Sequence, residues 1–266
     1  VSPVVYLAWQ CKGKCGMRVF GRVSLQWKIF LLVGLGMAVL VSVYGLLGTN
    51  AVRESTNDAL ANRLVLAQVA ASRLDLVLEY SLGQMQRATL PSSLDPIAGS
   101  ADPGAVATFL HSVQRALPLT VNYIVLVDKQ GLIVGAGPSG TLARGNPAPA
   151  QDKVQEALTS GKPQVTSLLY KDGDVGLVYL LAPLINGQGQ VSWLLQAAID
   201  PVNSNLGEFV KPLGLGQTGY AEVVDGNGIV LASHSPLGLL RKEDHGDRFA
   251  TLIAEGRTTT GTCHSC

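Results

Sequence analysis

Two thiols three positions apart close this 266-residue sequence, in Cys263-His264-Ser265-Cys266. In an exported chain a C-x-x-C pair has three readings: a disulfide, a redox or metal-binding pair, or the first four residues of C-x-x-C-H. In the last, the thiols form thioethers to a haem and the His is an axial iron ligand. Covalent haem c is therefore the cofactor expected if Cys263 and Cys266 are an attachment site, and a structural thiol pair is the plainer alternative. Zinc is disfavoured because no other Cys/His pair stands at ligand spacing. His234 and His245 are weak candidates for a distal iron ligand, since a loop histidine is usually just solvated. His111 falls in TFLHSVQRAL, a helical pattern that places it on the surface.

Enzyme chemistry has no comparable signature. The sequence holds no G-x-S-x-G, P-loop or H-E-x-x-H. Gly135-Ala-Gly-Pro-Ser-Gly140 looks like a dinucleotide loop, but it follows a hairpin strand and precedes no helical pattern, so it reads as a turn. No catalytic residue is assigned.

The elements that must hold these residues divide by charge. Hydrophobic residues make up 47% of the chain and charged ones 15%, which excludes a disordered chain. The net charge of +1 carries no basic excess, which argues against a nucleic-acid partner. The near-neutral total conceals an asymmetry. Residues 1–28 carry Lys12, Lys14, Arg18, Arg22 and Lys28 and no acid, leaving 15 bases against 19 acids in the rest. Residues 29–48 follow without a charge and would span about 30 Å of hydrocarbon as a helix. A transmembrane helix with its N-terminus in the cytoplasm is expected, and the remainder is exported. A cleaved signal peptide is the competing reading, disfavoured by the length of the apolar run and the lack of an A-x-A site. Met17 opens a more compact basic region and is a possible true start.

Residues 50–90 contain no Pro, and Leu60, Leu64, Ala67, Ala71, Leu74, Leu78, Leu82 and Met85 recur mostly three or four apart. The spacing predicts a long stalk helix whose stripe either forms a dimer seam or docks on the following domain. Beyond a Pro/Gly-rich loop, Asn122–Val134 and Gly219–Leu231 repeat one pattern: Tyr123, Asp128 and Gly131 return as Tyr220, Asp225 and Gly228. Each repeat reads as strand, D-x-x-G turn, strand. The Asp caps backbone N–H groups two residues on, and the Gly supplies the positive φ of a tight turn. Short helices follow at Gln151–Gly161 and Asp247–Gly256. The first copy continues with strands at Gln164–Tyr170, Val175–Leu184 and Val191–Ile199, which predicts a five-stranded antiparallel sheet with helices on one side. The fold class is α+β. A distal module at 91–205 and a proximal module at 206–266 are expected, the second incomplete because the equivalents of 175–199 are absent.

This arrangement resembles the double Cache, PAS-like sensor domains of bacterial membrane receptors. Its most recognisable piece is GxTGYxxxxDxxGxxxxxxxP, occupied by Gly216, Thr218, Gly219, Tyr220, Asp225, Gly228 and Pro236. The approach to the thiol pair, Gly261-Thr262, is also similar to that of many c-type haem sites. The Cache resemblance implies a small-molecule ligand between the distal sheet and its covering loops. Candidates are Tyr123, Tyr170, Tyr179 and Asp200, with Arg144 as a carboxylate clamp. In amino-acid-binding relatives an Asp on the last distal strand holds the ammonium, which Asp200 would match, but the Arg-x-Trp run for the carboxylate is missing. The resemblance further implies a bacterial inner-membrane receptor, active as a homodimer and not itself an enzyme. Its output, absent here, would be a histidine kinase, chemoreceptor rod or diguanylate cyclase. A membrane-anchored c-type haem electron carrier is the alternative.

Overall fold

No proline interrupts residues 25–86, and Leu25–Gln86 form one 62-residue helix, α1, with no break at the end of the apolar run. The computed structural model describes residues 24–88, 103–137, 142–170, 176–211, 220–233, 238–243 and 245–258. The chain divides into two compact units, Val1–Ala59 and Leu60–Cys266. In the first, the described side chains are exposed, and α1 includes an eighteen-residue window of mean hydropathy 2.4 with none of it buried. Leu31, Leu32, Leu35, Leu46 and Leu47 find no protein to pack against. The uncharged, unburied stretch of this helix, residues 29–48, is what a bilayer accommodates, because every backbone polar group is satisfied within the helix.

The second unit is built on two long strands whose residues are apolar in both phases. Gly176–Ile185 (β5) and Val191–Ile199 (β6) are buried along almost their whole length, which requires cover on both faces of the sheet. With Tyr123–Val127 (β1), Ile133–Gly137 (β2), Gln164–Val165 (β3) and Leu169–Tyr170 (β4) they form a six-stranded sheet in the order β2-β1-β6-β5-β3, with β4 also paired to β5. Pro103–Ala116 (α2) and the last turns of α1 cover one face. There Val106, Phe109, Leu110 and Met85 meet Ile124, Leu126, Leu180 and Leu195. Gln151–Ser160 (α3) covers the other, where Val154 and Ala157 meet Val125, Leu181 and Leu194.

Two expectations are corrected here. Helices lie on both sides of the sheet and not on one; the unbroken apolar character of β5 and β6 is the physical reason. Gln164–Tyr170 is also not one strand. Val165 pairs with Leu180 and Leu169 with Leu177, a register slip that leaves residues 166–168 outside the ladder. The sheet thus has six strands where five were expected.

The stalk stripe docks on its own domain from Leu74 onward: Leu74, Val77, Leu78, Leu82 and Met85 join the α2-side core. Arg73 adds a cation-π contact, its guanidinium 5.7 Å from the Phe209 ring centre. The repeat appears as Glu222–Val224 (β7), Val230–Ser233 (β8) and Gly246–Ala254 (α4), with β7 and β8 a two-stranded antiparallel pair.

Candidate ligand site on the distal sheet

Three strands place one row of side chains on the α3 face. Ala198 of β6 is flanked in register by Tyr123 of β1 and Tyr179 of β5. Because the middle residue is only a methyl group, the two phenols lean over it, and their hydroxyls lie 3.3 Å apart. Both are buried, at 5% and 2% exposure. Burial, which penalises a phenolate, pushes the ionisation of both well above that of free tyrosine; for Tyr123 the contact with Tyr179 pushes in the same direction. The pair is therefore neutral. One hydroxyl proton joins the two oxygens, and among the described residues no acceptor takes the other.

One row further along the same face stands Gln196, between Val125 and Leu181. It is fully buried, and its Nε2 donates to the Pro149 carbonyl at 2.8 Å. Its Oε1 is buried and accepts from no donor among the described residues. Pro149 belongs to a cover formed by residues 142–150. Leu142, Ala148 and Ala150 of this segment pack on the α3-side core, and backbone bonds from Ile133 N to Asn146 O and from Ala148 N to Gly131 O tie it down. Ala150 ends the cover in the left-handed region, at φ 57, a conformation costly for any residue with a β-carbon.

The structure gathers some of the residues expected from the sequence and separates others. Tyr123 and Tyr179 come together. Arg144 sits in an exposed turn of the cover. Asp200 ends β6, where its carboxylate accepts from Val202 N at 2.9 Å and Asn203 Nδ2 at 2.7 Å, the bonds of a local turn. Tyr170 does not join the group. It is 58% exposed, and its hydroxyl donates to the Leu240 carbonyl at 3.2 Å. His245 precedes α4, its ring edge-on to Phe249 at 6.4 Å. His234, Cys263 and Cys266 lie outside the described residues. Among the described residues, no three His, Cys, Asp or Glu side chains gather at metal-binding range. Sequence reasoning alone does not single out Gln196. Its one sequence signal is an amide in the middle of the apolar strand VSWLLQAAI.

The sequence matches no protein-family model and no curated protein. Solved structures do match. The extracellular domain of the inferred histidine kinase mmHK1S-Z2 is 16% identical, with a TM-score of 0.53 over 74% of this chain and 84% of its own. The ligand-binding domain of the Pseudomonas fluorescens chemoreceptor CtaA in complex with L-leucine is 17% identical, with a TM-score of 0.53 over 73% of this chain and 76% of its own. The chain shares its fold with these two domains. It spans 34% of the extracellular ligand binding receptor from Desulfohalobium retbaense DSM5692, at 12% identity and a TM-score of 0.46.

In this fold the slip between β3 and β4 has a definite use. Leu168 N donates to Asp225 Oδ2 in the second repeat at 2.9 Å, and Tyr170 reaches Leu240 two residues on. On the other side of the slip, Thr166 N donates to Tyr179 O and Tyr179 N donates to Thr166 Oγ1, both at 3.0 Å. One residue, Ser167, thus lies between the bond to a site tyrosine and the bond to the repeat hairpin. Leu168, Leu231 and Ala232 share the α2-side core, so this contact is apolar as well as hydrogen-bonded.

Proposed function

We propose that the chain is the extracytoplasmic sensing region of a membrane-anchored receptor that binds a small polar molecule on the α3 face of the distal sheet. The observation that carries this reading is the neutral polar group formed by Tyr123, Tyr179 and Gln196 on a largely apolar face, beneath a cover, in a fold shared with ligand-binding domains. Amino acids are the first ligand class to test, since the CtaA domain was solved with L-leucine. The site binds and does not catalyse: it offers hydroxyls and an amide, with no activated nucleophile or general base among the described residues.

The apolar part of α1 crosses the cell membrane, with the basic residues 1–28 on the cytoplasmic side of a bacterial inner membrane. The receptor acts as a homodimer. Leu66, Val69, Leu76 and Tyr80 form an exposed stripe, three to seven residues apart, on the side of α1 away from the packed Leu74, Leu78 and Met85. Such a stripe suits a second copy of the same helix. A kinase, chemoreceptor or cyclase output would read the bound state through two arrangements of these helices.

A thermal-shift screen of the full chain in detergent micelles against the twenty L-amino acids and their des-amino acids tests the reading. A ligand held at about 100 times its Kd adds about 2.7 kcal/mol of stability, a clear rise in Tm. No rise with any compound overturns the assigned ligand class.

A further inference from the structure

Resting on the proposed ligand site, we propose that Gln196 is its specificity-determining acceptor and selects ligands that present an N–H donor. Three observations carry this. Gln196 is fully buried on the face shared with the tyrosine pair, and its Oε1 accepts from no donor among the described residues. Buried amide oxygens are nearly always paired, so an orphan of this kind marks a place where a partner belongs. The amide is also held in one orientation. Nε2 is committed to Pro149 O at 2.8 Å, so the side chain cannot turn to offer a donor without breaking that bond. The site therefore presents a fixed acceptor to whatever lies beside it.

The neighbours set the chemical class further. Val125 and Leu181 flank Gln196 and supply no polar group; Gln164 of β3 lies beyond Leu181 in the same row, and the Tyr123 and Tyr179 hydroxyls stand one row away. Those phenols are neutral and, among the described residues, bond only to each other, which leaves one hydroxyl proton to donate. A ligand fitted to this row gives an N–H to Gln196 Oε1 and takes the hydroxyl proton on an oxygen. A primary amine or amide carrying a carboxyl or carbonyl oxygen a few bonds away satisfies both. The contact also places a ligand against the bond that anchors the cover, because the same amide group holds Pro149. Occupancy and closure of residues 142–150 are linked through one side chain.

The test uses the full chain in micelles with matched probes: L-leucine against 4-methylpentanoic acid, and L-asparagine against succinamic acid, each pair differing by the amino group. Wild-type protein is expected to shift with at least one amino compound and to bind its des-amino partner about tenfold or more weakly. Gln196→Met, which keeps the volume and removes both polar groups, is expected to erase that discrimination. Gln196→Glu, held protonated by its apolar surroundings at pH 5, keeps an acceptor and an O–H for the Pro149 carbonyl, retains the preference for the amino compound and covers the case in which the Met exchange fails to fold. Equal preference in wild type and Gln196→Met, or loss of the preference in a folded Gln196→Glu protein, overturns the inference while leaving the binding site standing. Absence of any shift in the wild type across the whole amino-acid panel overturns the ligand class and this inference with it.

Discussion

The two D-x-x-G hairpins are copies in sequence and differ in what surrounds them. In the distal turn, Asp128 Oδ1 accepts from Gln130 N and Leu132 N, and Gly131 adopts φ 82. In the proximal turn, Asp225 Oδ1 accepts from Asn227 N and Ile229 N, and Gly228 adopts φ 77. The local chemistry is the same to within a few hundredths of a nanometre. Beyond it, Asp128 is half-buried, whereas Asp225 is 6% exposed and gives its second oxygen to Leu168 N of the other module. A motif that only closes a turn in one copy docks one module on the other in the second. Duplication thus supplied a ready-made acceptor, and the register slip in the distal edge strand exposed the N–H that it takes.

Substitutions at equivalent positions should break this symmetry. The largest difference is expected at the glycines. A β-carbon at Gly228 would collide with the Gly246 carbonyl at the start of α4, where backbone cannot yield; at Gly131 it would meet only the ends of the Gln151 and Gln155 side chains. Gly228→Ala should cost about 3 kcal/mol or more and Gly131→Ala about 1 to 2, read from urea unfolding of the full chain. Equal costs would show that the α4 contact is not formed. Next come the aspartates: Asp225→Ala should cost about 2 to 3 kcal/mol, against about 1 for Asp128→Ala. Asp225→Asn preserves the turn acceptor but presents an N–H to an N–H at Leu168. It should raise hydrogen exchange at Leu168 while sparing Asn227 and Ile229, and unchanged protection at Leu168 would remove the docking bond from this account.

A smaller effect concerns the tyrosine row, which the proximal repeat lacks; there Tyr220 is 59% exposed. The folded ionisations of Tyr123 and Tyr179 lie above the ordinary value of 10.0. In the pH range between the unfolded and folded values the native state holds more protons, so stability falls as pH rises there. Their contribution is complete below about pH 10 and is lost as pH climbs toward the raised folded values. Phenolate absorbance should show two of the seven tyrosines titrating late, and Tyr179→Phe should leave one. A single titration with all seven at the ordinary position would place the pair in water.

Much of this molecule could be read before any coordinates. Asp128 with Gly131 and Asp225 with Gly228 announce turns because capping and positive φ are local demands that sequence records directly. The apolar part of α1 is equally plain, since bilayer solubility depends on composition over a window. The layering of the sheet was misread although its signal was present: VYLLAPLI and VSWLLQAAI do not alternate, and strands apolar in both phases need cover on both faces. Tyr170 was grouped with the site because aromatic type alone does not reveal which face a strand residue takes, and a two-residue strand after a register slip reverses the simple count. Gln196 escaped notice for a related reason. An amide in a strand gains meaning only when burial and the lack of a partner are known, and both are tertiary properties.

The central claim is that ligand enters on the α3 face of the distal copy and not at the proximal one. Hydrogen–deuterium exchange of the full chain, with and without the compound that stabilises it most, tests this directly. Added protection is expected in Tyr123–Val127, Gly176–Ile185 and Val191–Ile199 and over the cover at 142–150. Protection confined to Glu222–Ser233 and Gly246–Ala254, with the distal strands unchanged, would contradict it.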